Sequence, residues 1–179
     1  MFQLVSTIIA VFFIAIDQIV KNWAAEVLTK GDITLIEHVL YLKYTENTGV
    51  AFSMFSDNRW MLIFVTSCML LVVLAFFLSG KVTSKLEQIA LALMLSGGVG
   101  NLIDRISLGY VIDYIDVRII NFAIFNIADI CICVGAFLVC LSVYLSDKKE
   151  KKAKAEKANE FDEIDIDLEK LFGGAKKDE

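Results

Sequence analysis

The sequence predicts an α-helical integral membrane protein, with four transmembrane helices, a small strand-bearing region on the outer surface and a charged cytoplasmic tail. Two observations carry most of this reading. Hydrophobic residues make up 57% of the 179-residue chain, against roughly 45–50% in soluble domains, and the mean hydropathy is +0.65. The excess is gathered into four runs, Leu4 to Ala25, Trp60 to Ser79, Leu86 to Ile106 and Phe122 to Leu145, each near the ~20 residues that cross about 30 Å of hydrocarbon. Residues 1–146 are therefore read as one four-span membrane domain and residues 147–179 as a tail.

Each element has its own signature. The first span is not read as a cleavable signal peptide, because it lacks a basic start and Asp17 and Lys21 interrupt it. Those two residues are four apart, in the order that favours an ion pair on one helix face. They fit either a headgroup anchor, with Lys21 snorkelling and Trp23 in the interfacial belt, or a role at a site. The connection from Asn22 to Arg59 alternates in the strand manner at Ile33 to Leu35 and Val39 to Thr45, which predicts a small sheet or hairpin on the membrane surface. His38 stands alone there and is read as a surface histidine. The connection ends in Asn47-Thr48-Gly49-Val50-Ala51-Phe52-Ser53, where Asn and Gly can turn the chain. The second span is uncharged in its core and is assigned to packing. The third carries Ser96-Gly97-Gly98-Val99-Gly100, small residues that let neighbouring helices approach closely. Proline is absent, so no span is kinked by one.

Charge fixes the expected orientation. Lys81 and Lys85 lie between the second and third spans, and Lys148, Lys149, Lys151 and Lys152 follow the fourth. With four spans these groups share a side, which the positive-inside rule makes cytoplasmic, together with both termini. The net charge of −5 does not point to nucleic acid, since most charges lie in a nearly balanced tail. That tail is expected to be disordered or loosely helical and solvated. Cys68, Cys131, Cys133 and Cys140 all fall within spans and are read as small buried apolar residues rather than a disulfide or metal set.

The unusual feature is acid in an apolar setting. Gly109 to Ile130 places Asp113, Asp116, Asn126 and Asp129 at the head of the fourth span, where a carboxylate is costly and is commonly retained for function. Asn101 and Arg105 share a face near the end of the third span, with Asp104 at its border. At about 1.5 Å per residue, Asp17 and Lys21, Asn101 to Arg105 and Asn126 to Asp129 all reach one depth near the outer surface, Asp129 roughly 10 Å below the start of its span. Asp113 joins that level from the loop before it, while Asp116 is read as a solvated loop charge. A hydroxyl nucleophile triad is excluded by the single, peripheral histidine, and no metal cluster or phosphate loop is present in the pattern. Carboxyl chemistry remains: two aspartates in a dry site cannot both ionise easily, so one holds a proton while the other activates water. A proton or ion transporter would instead place its carboxylates near the midplane between repeats, and a passive scaffold would leave Asp113 and Asp129 unexplained.

These residues resemble the lipoprotein signal peptidases, the signal peptidase II family of bacterial membrane aspartic proteases. The resemblance runs over residues 4 to 145 in ordered blocks: DQIVK from Asp17, NTGVAF from Asn47, GGVGNLIDR from Gly97, GYVIDYIDV from Gly109 and FNIAD from Phe125. It implies a four-span fold with an external β-cradle, and a catalytic pair at Asp113 and Asp129. Asn47, Gly49, Asn101, Asp104, Arg105 and Asn126 would line or support the substrate site, with Asp17 and Lys21 more peripheral. The implied reaction removes signal peptides from diacylglyceryl-modified prolipoproteins by cutting before the lipidated cysteine at the outer face of the bacterial cytoplasmic (inner) membrane. The implied partners are that substrate and membrane lipids. No metal, cofactor or nucleic acid is expected, and the enzyme is expected to act as a monomer.

Overall fold

A computed structural model describes residues 2–49, 58–82, 84–120 and 122–172, with side chains omitted at 153 and from 155 onward. Four helices and three strands follow in the order α1 (Phe2–Val27), β1 (Ile33–Ile36), β2 (Leu40–Asn47), α2 (Arg59–Leu78), α3 (Lys85–Ser107), β3 (Val111–Val117) and α4 (Ile127–Phe172). The chain divides into two compact units, Met1–Val139 and Cys140–Glu179. All four helices are long and apolar enough to cross a membrane. Their outward faces carry bare side chains such as Leu4, Phe64, Met69 and Phe137, as expected of helices whose solvent is lipid.

The central helix of the first unit is α3, in which 44% of the apolar window is buried, against 22% or less in the other three spans. Its glycines explain why. A methyl group at Gly97 would overlap the Ala128 carbonyl of α4, one at Gly98 would meet Leu70 of α2, and one at Gly100 would meet the Asp17 carboxylate of α1. Three bare positions in one turn let three helices close on α3 at different angles. The end of α3 is held as firmly: the Arg59 guanidinium donates to the carbonyls of Arg105 and Ile106 at 2.9 and 2.6 Å. It also packs against Gly109, whose φ of 95° a side chain would strain.

The expected hairpin is present as β1 and β2, with Ile33 opposite Leu42 and Thr34 opposite Tyr41. His38 turns it with a φ of 61° and is exposed, as its sequence context suggested. The sequence reading left out the third strand. Residues 111–117, taken there as loop, pair antiparallel with β2, setting Thr45 opposite Asp113 and Asn47 opposite Val111 in a sheet of order β1-β2-β3. Ile112 and Tyr114 on one face of β3 pack with Ala24 and Leu28 at the end of α1. The alternate residue Asp113 lines a cavity.

Three other expectations need correction: the start of the fourth span, the exposure of Asp116 and the burial of the cysteines. The fourth span begins at Ile127 rather than Phe122, because Phe125 bridges to Ile115 and extends the sheet instead. Asp129 therefore lies in the first turn of α4, not two turns into it. The charged run after Ser146, one of whose expected states was loosely helical, continues the helix to Phe172. Asp116 is buried, in an ion pair with Arg118 at 2.7 Å, rather than solvated. Of the cysteines only Cys131 is buried; Cys68, Cys133 and Cys140 sit on helix surfaces as free thiols. The NTGVAF block is described only through Gly49, and Val50 to Ser53 lie outside the described residues.

Candidate active site

Polar side chains from α1, α3 and α4 do meet in one layer, with β3 completing it. Asp17 and Lys21 are 1% exposed each and form an ion pair at 2.9 Å. The snorkelling alternative fails, since Lys21 points inward and reaches a second carboxylate, Asp104 Oδ2, at 2.9 Å. Both carboxylates are tied to backbone as well. Asp17 Oδ1 accepts the Ala128 N–H at 3.0 Å, and Asp104 Oδ2 accepts the Ile112 N–H at 3.2 Å. One ion triad thus holds the start of α4 and the start of β3 against α1 and α3. Gln18, which sequence reasoning passed over, donates to Asp104 Oδ1 at 3.0 Å and to the Gly100 carbonyl at 3.2 Å. Its place inside the DQIVK block, three residues before Lys21, was the available signal.

Asp113 and Asp129 lie on the open side of this cluster. The Asn126 amide donates to Asp113 Oδ1 at 2.6 Å, and the Asn47 amide to Asp113 Oδ2 at 2.8 Å. Asn47 is itself oriented, because its oxygen accepts the Gly49 N–H at 3.0 Å. Asp129 Oδ1 accepts from the Asn101 amide at 2.8 Å, and Asp129 Oδ2 from the Asn126 N–H at 3.2 Å. The Asp129 N–H returns a bond to Asn126 Oδ1 at 2.9 Å. Asn126 and Asp129 form a reciprocal cap on the first turn of α4, and Asn126 also touches Asp113, so one residue ties both carboxyl groups together.

The two aspartates face a cavity of about 440 Å³. Asn47, Gly49 and Arg105 line its polar side, and Phe122, Phe125, Ile130 and Val134 belong to its apolar side. Arg105 reaches the Gly49 carbonyl at 3.3 Å, while its Nε has no hydrogen-bond partner among the described residues. Within the Asn101 to Arg105 cluster, Asn101 and Asp104 turn inward to Lys21 and Arg105 turns to the cavity. Asp104, expected at the border of that face, is only 3% exposed. Burial drives the Asp113 carboxyl up to about 6; the Asn47 bond opposes the rise, and the neighbouring Asp129 charge adds to it. A carboxyl poised there can take up or release a proton close to neutral pH. The apolar wall at Phe122 and Phe125 was hidden in the sequence by its likeness to the start of a span.

The chain as a whole is similar to known proteins. The family model for signal peptidase (SPase) II matches residues 9–145. The lipoprotein signal peptidase of Lactococcus lactis subsp. lactis is 41% identical over 150 residues, which is 83% of this chain and 99% of that protein. That of Clostridioides difficile is 35% identical over 146 residues, covering 80% and 97%. A solved structure described as a bacterial membrane enzyme studied by the in meso method superposes with a TM-score of 0.72 at 30% identity, over 80% of this chain and 89% of that one.

Proposed function

Because the chain belongs to the signal peptidase II family, we propose that Asp113 and Asp129 are its catalytic dyad, sharing one proton and activating one water against the peptide bond before a lipidated cysteine. Family membership makes the protein an aspartic-type peptidase that removes signal peptides from prolipoproteins, and a multi-pass protein of the bacterial inner membrane. The observation that carries the dyad is Asn126, whose amide and backbone hold Asp113 and Asp129 on one cavity.

The chemistry follows from that pairing. The ionised carboxylate takes a proton from water as the water oxygen attacks the scissile carbonyl carbon, and the protonated carboxyl gives its proton to the carbonyl oxygen. The tetrahedral diol then collapses: the C–N bond breaks, the amine nitrogen takes the proton that came from water, and a diol hydroxyl returns its proton to the other aspartate. The products are the free carboxyl end of the signal peptide and a new amino group on the modified cysteine. The Arg105 guanidinium and the Asn47 amide supply donors for the peptide backbone or ester carbonyls in a partly dry cavity. The apolar wall of Phe122, Ile130 and Val134 accepts the hydrophobic part of the substrate. A substrate anchored in the same membrane arrives already restricted in depth, which removes much of the entropy cost of positioning.

The remaining features fit this reading. The basic residues Lys81, Lys85, Lys148 and Lys149 support, by the positive-inside rule, cytoplasmic termini and a dyad near the outer face. The enzyme acts as a monomer among membrane lipids. The decisive experiment presents the purified enzyme with one prolipoprotein in two forms, with and without the diacylglyceryl group, in water enriched in ¹⁸O. The expected result is cleavage of the lipidated form alone, with the new carboxyl end directly before the cysteine and carrying one ¹⁸O. Cleavage elsewhere, or equal cleavage of both forms, sinks the proposal.

A further inference from the structure

Lysine is a donor with three N–H bonds and no acceptor, and all three on Lys21 are used within the protein. Two go to Asp17 and Asp104, and the third goes to Asn101 Oδ1, each at 2.9 Å. Because Lys21 can only donate, this third bond settles which end of the Asn101 amide faces it. The Asn126 amide donates to the same oxygen at 3.1 Å. The Asn101 nitrogen is thereby turned to Asp129 Oδ1 at 2.8 Å. A full positive charge acts on that carboxylate through one polarised amide. The other Asp129 oxygen takes the Asn126 N–H at the start of α4, where a helix end favours negative charge.

Asp113 is served differently. Its donors are the amides of Asn47 and Asn126, whose oxygens accept from the backbone N–H groups of Gly49 and Asp129. Among the described residues, neither amide has a cation on its oxygen. The other charged or titratable groups facing this layer are Asp17 on α1, Asp104 and Arg105 on α3, and the Tyr114 phenol on β3. Arg105 interacts with both members of the dyad, more strongly with Asp129, and the Lys21 charge is also felt at Asp113, so what sets Lys21 apart is its directed hydrogen-bond path through Asn101 to Asp129.

We infer that Lys21 is a positioning residue that sets the polarity of the dyad: through Asn101 it makes Asp129 the ionised, water-activating carboxylate and leaves the shared proton on Asp113. This rests on the dyad reading above. Water thus gives its proton to Asp129, Asp113 gives its own to the carbonyl oxygen, and collapse of the diol restores both. The raised titration of the buried Asp113 agrees with its holding the proton.

Three measurements on the full-length enzyme with a fluorogenic diacylglyceryl peptide test this. Lys21→Met should lower kcat by about 10- to 100-fold, leave KM within about threefold, and move the acid limb of the kcat profile up by about one pH unit. An unmoved limb in a folded variant overturns the inference. Asn101→Ala should move the limb by the same amount, and adding Lys21→Met to it should move it no further; an additive second shift shows that Lys21 does not act through Asn101. If Lys21→Met leaves Asp17 and Asp104 unbalanced and fails to accumulate, adding Asp17→Asn and Asp104→Asn removes that burden, and the same limb is read. Finally, a carboxamide can still donate as a protonated carboxyl does, so Asp113→Asn should retain at least about tenfold more kcat than Asp129→Asn; the reverse order overturns the polarity. Wild-type rates in both of these variants would instead sink the dyad itself.

Discussion

Two pairs of aspartates share one hydrogen-bonded cluster, and they differ in what lies between them. Asp17 and Asp104 are bridged by the Lys21 ammonium, and their oxygens also accept the backbone N–H groups of Ala128 and Ile112. Asp113 and Asp129 are bridged, among the described residues, by Asn126, and both open onto a cavity of about 440 Å³. A cation that bonds two carboxylates directly joins the helices that carry them, so the first pair serves as a clamp. On the proposed dyad reading, the neutral amides position the second pair without cancelling its repulsion, so that pair keeps one proton available to move. The difference between structure and chemistry here is the charge of the group in the middle, since all four residues are the same and three of the four are nearly fully buried.

The comparison breaks most sharply at the dyad. Asp113→Asn and Asp129→Asn should each lower kcat by at least about 10³-fold, with membrane accumulation and melting temperature close to wild type. A variant of either residue that cleaves at the normal rate would place the chemistry elsewhere. The same exchange in the clamp should read out the other way. Asn at position 17 keeps an oxygen for the Ala128 N–H but loses the charge facing Lys21. Asp17→Asn should therefore cost about 3 kcal/mol of stability, as loss of one partner from a buried ion pair does, while kcat stays within about tenfold. Denaturant melts set beside initial rates would show this split; a lost rate with unchanged stability would move Asp17 into the chemistry.

Much of this was legible in the residues. The four spans followed from hydropathy, and the common depth of Asp17, Lys21, Asn101, Arg105 and Asp129 followed from the rise per residue along each helix. The pattern could not show direction. Asp17 with Lys21 has the same i,i+4 spacing whether the lysine turns to headgroups or to the core, and only the Asp104 carboxylate from another helix decides it. VIDYIDV has the β-favouring composition of a strand, yet its two acids and its position before an apolar run made it read as a loop; pairing with β2 over a long sequence separation is what makes it a strand. Phe122 to Phe125 is as apolar as a span, and one bridge to Ile115 keeps it out of the helix.

A finer test acts on one hydrogen bond of the open pair. The Asn47 amide favours the ionised form of Asp113, against a burial that raises its titration to about 6. Removing that donor with Asn47→Ala should raise it further, so the alkaline limb of the activity profile, where the last dyad proton is lost, should move up by about one pH unit. The sign is the informative part. In the clamp, where Lys21 governs the charges, loss of the neutral donor in Gln18→Ala should leave both limbs in place. A downward shift for Asn47→Ala would mean that its amide stabilises the protonated form.

The smallest effect is expected from the tail. All residues lining the cavity lie before Val139, the end of the first compact unit. The part of α4 from Ile127 to Lys148 is long enough to cross the hydrocarbon by itself and keeps the basic residue Lys148 at its inner end. Truncation after Lys148 should therefore leave kcat and KM within about twofold and both pH limbs unmoved, with only inner-leaflet anchoring weakened by about 1 kcal/mol per lysine lost. A truncated enzyme that inserts normally but no longer cleaves would mean that the clamp and the dyad depend on a segment that touches neither.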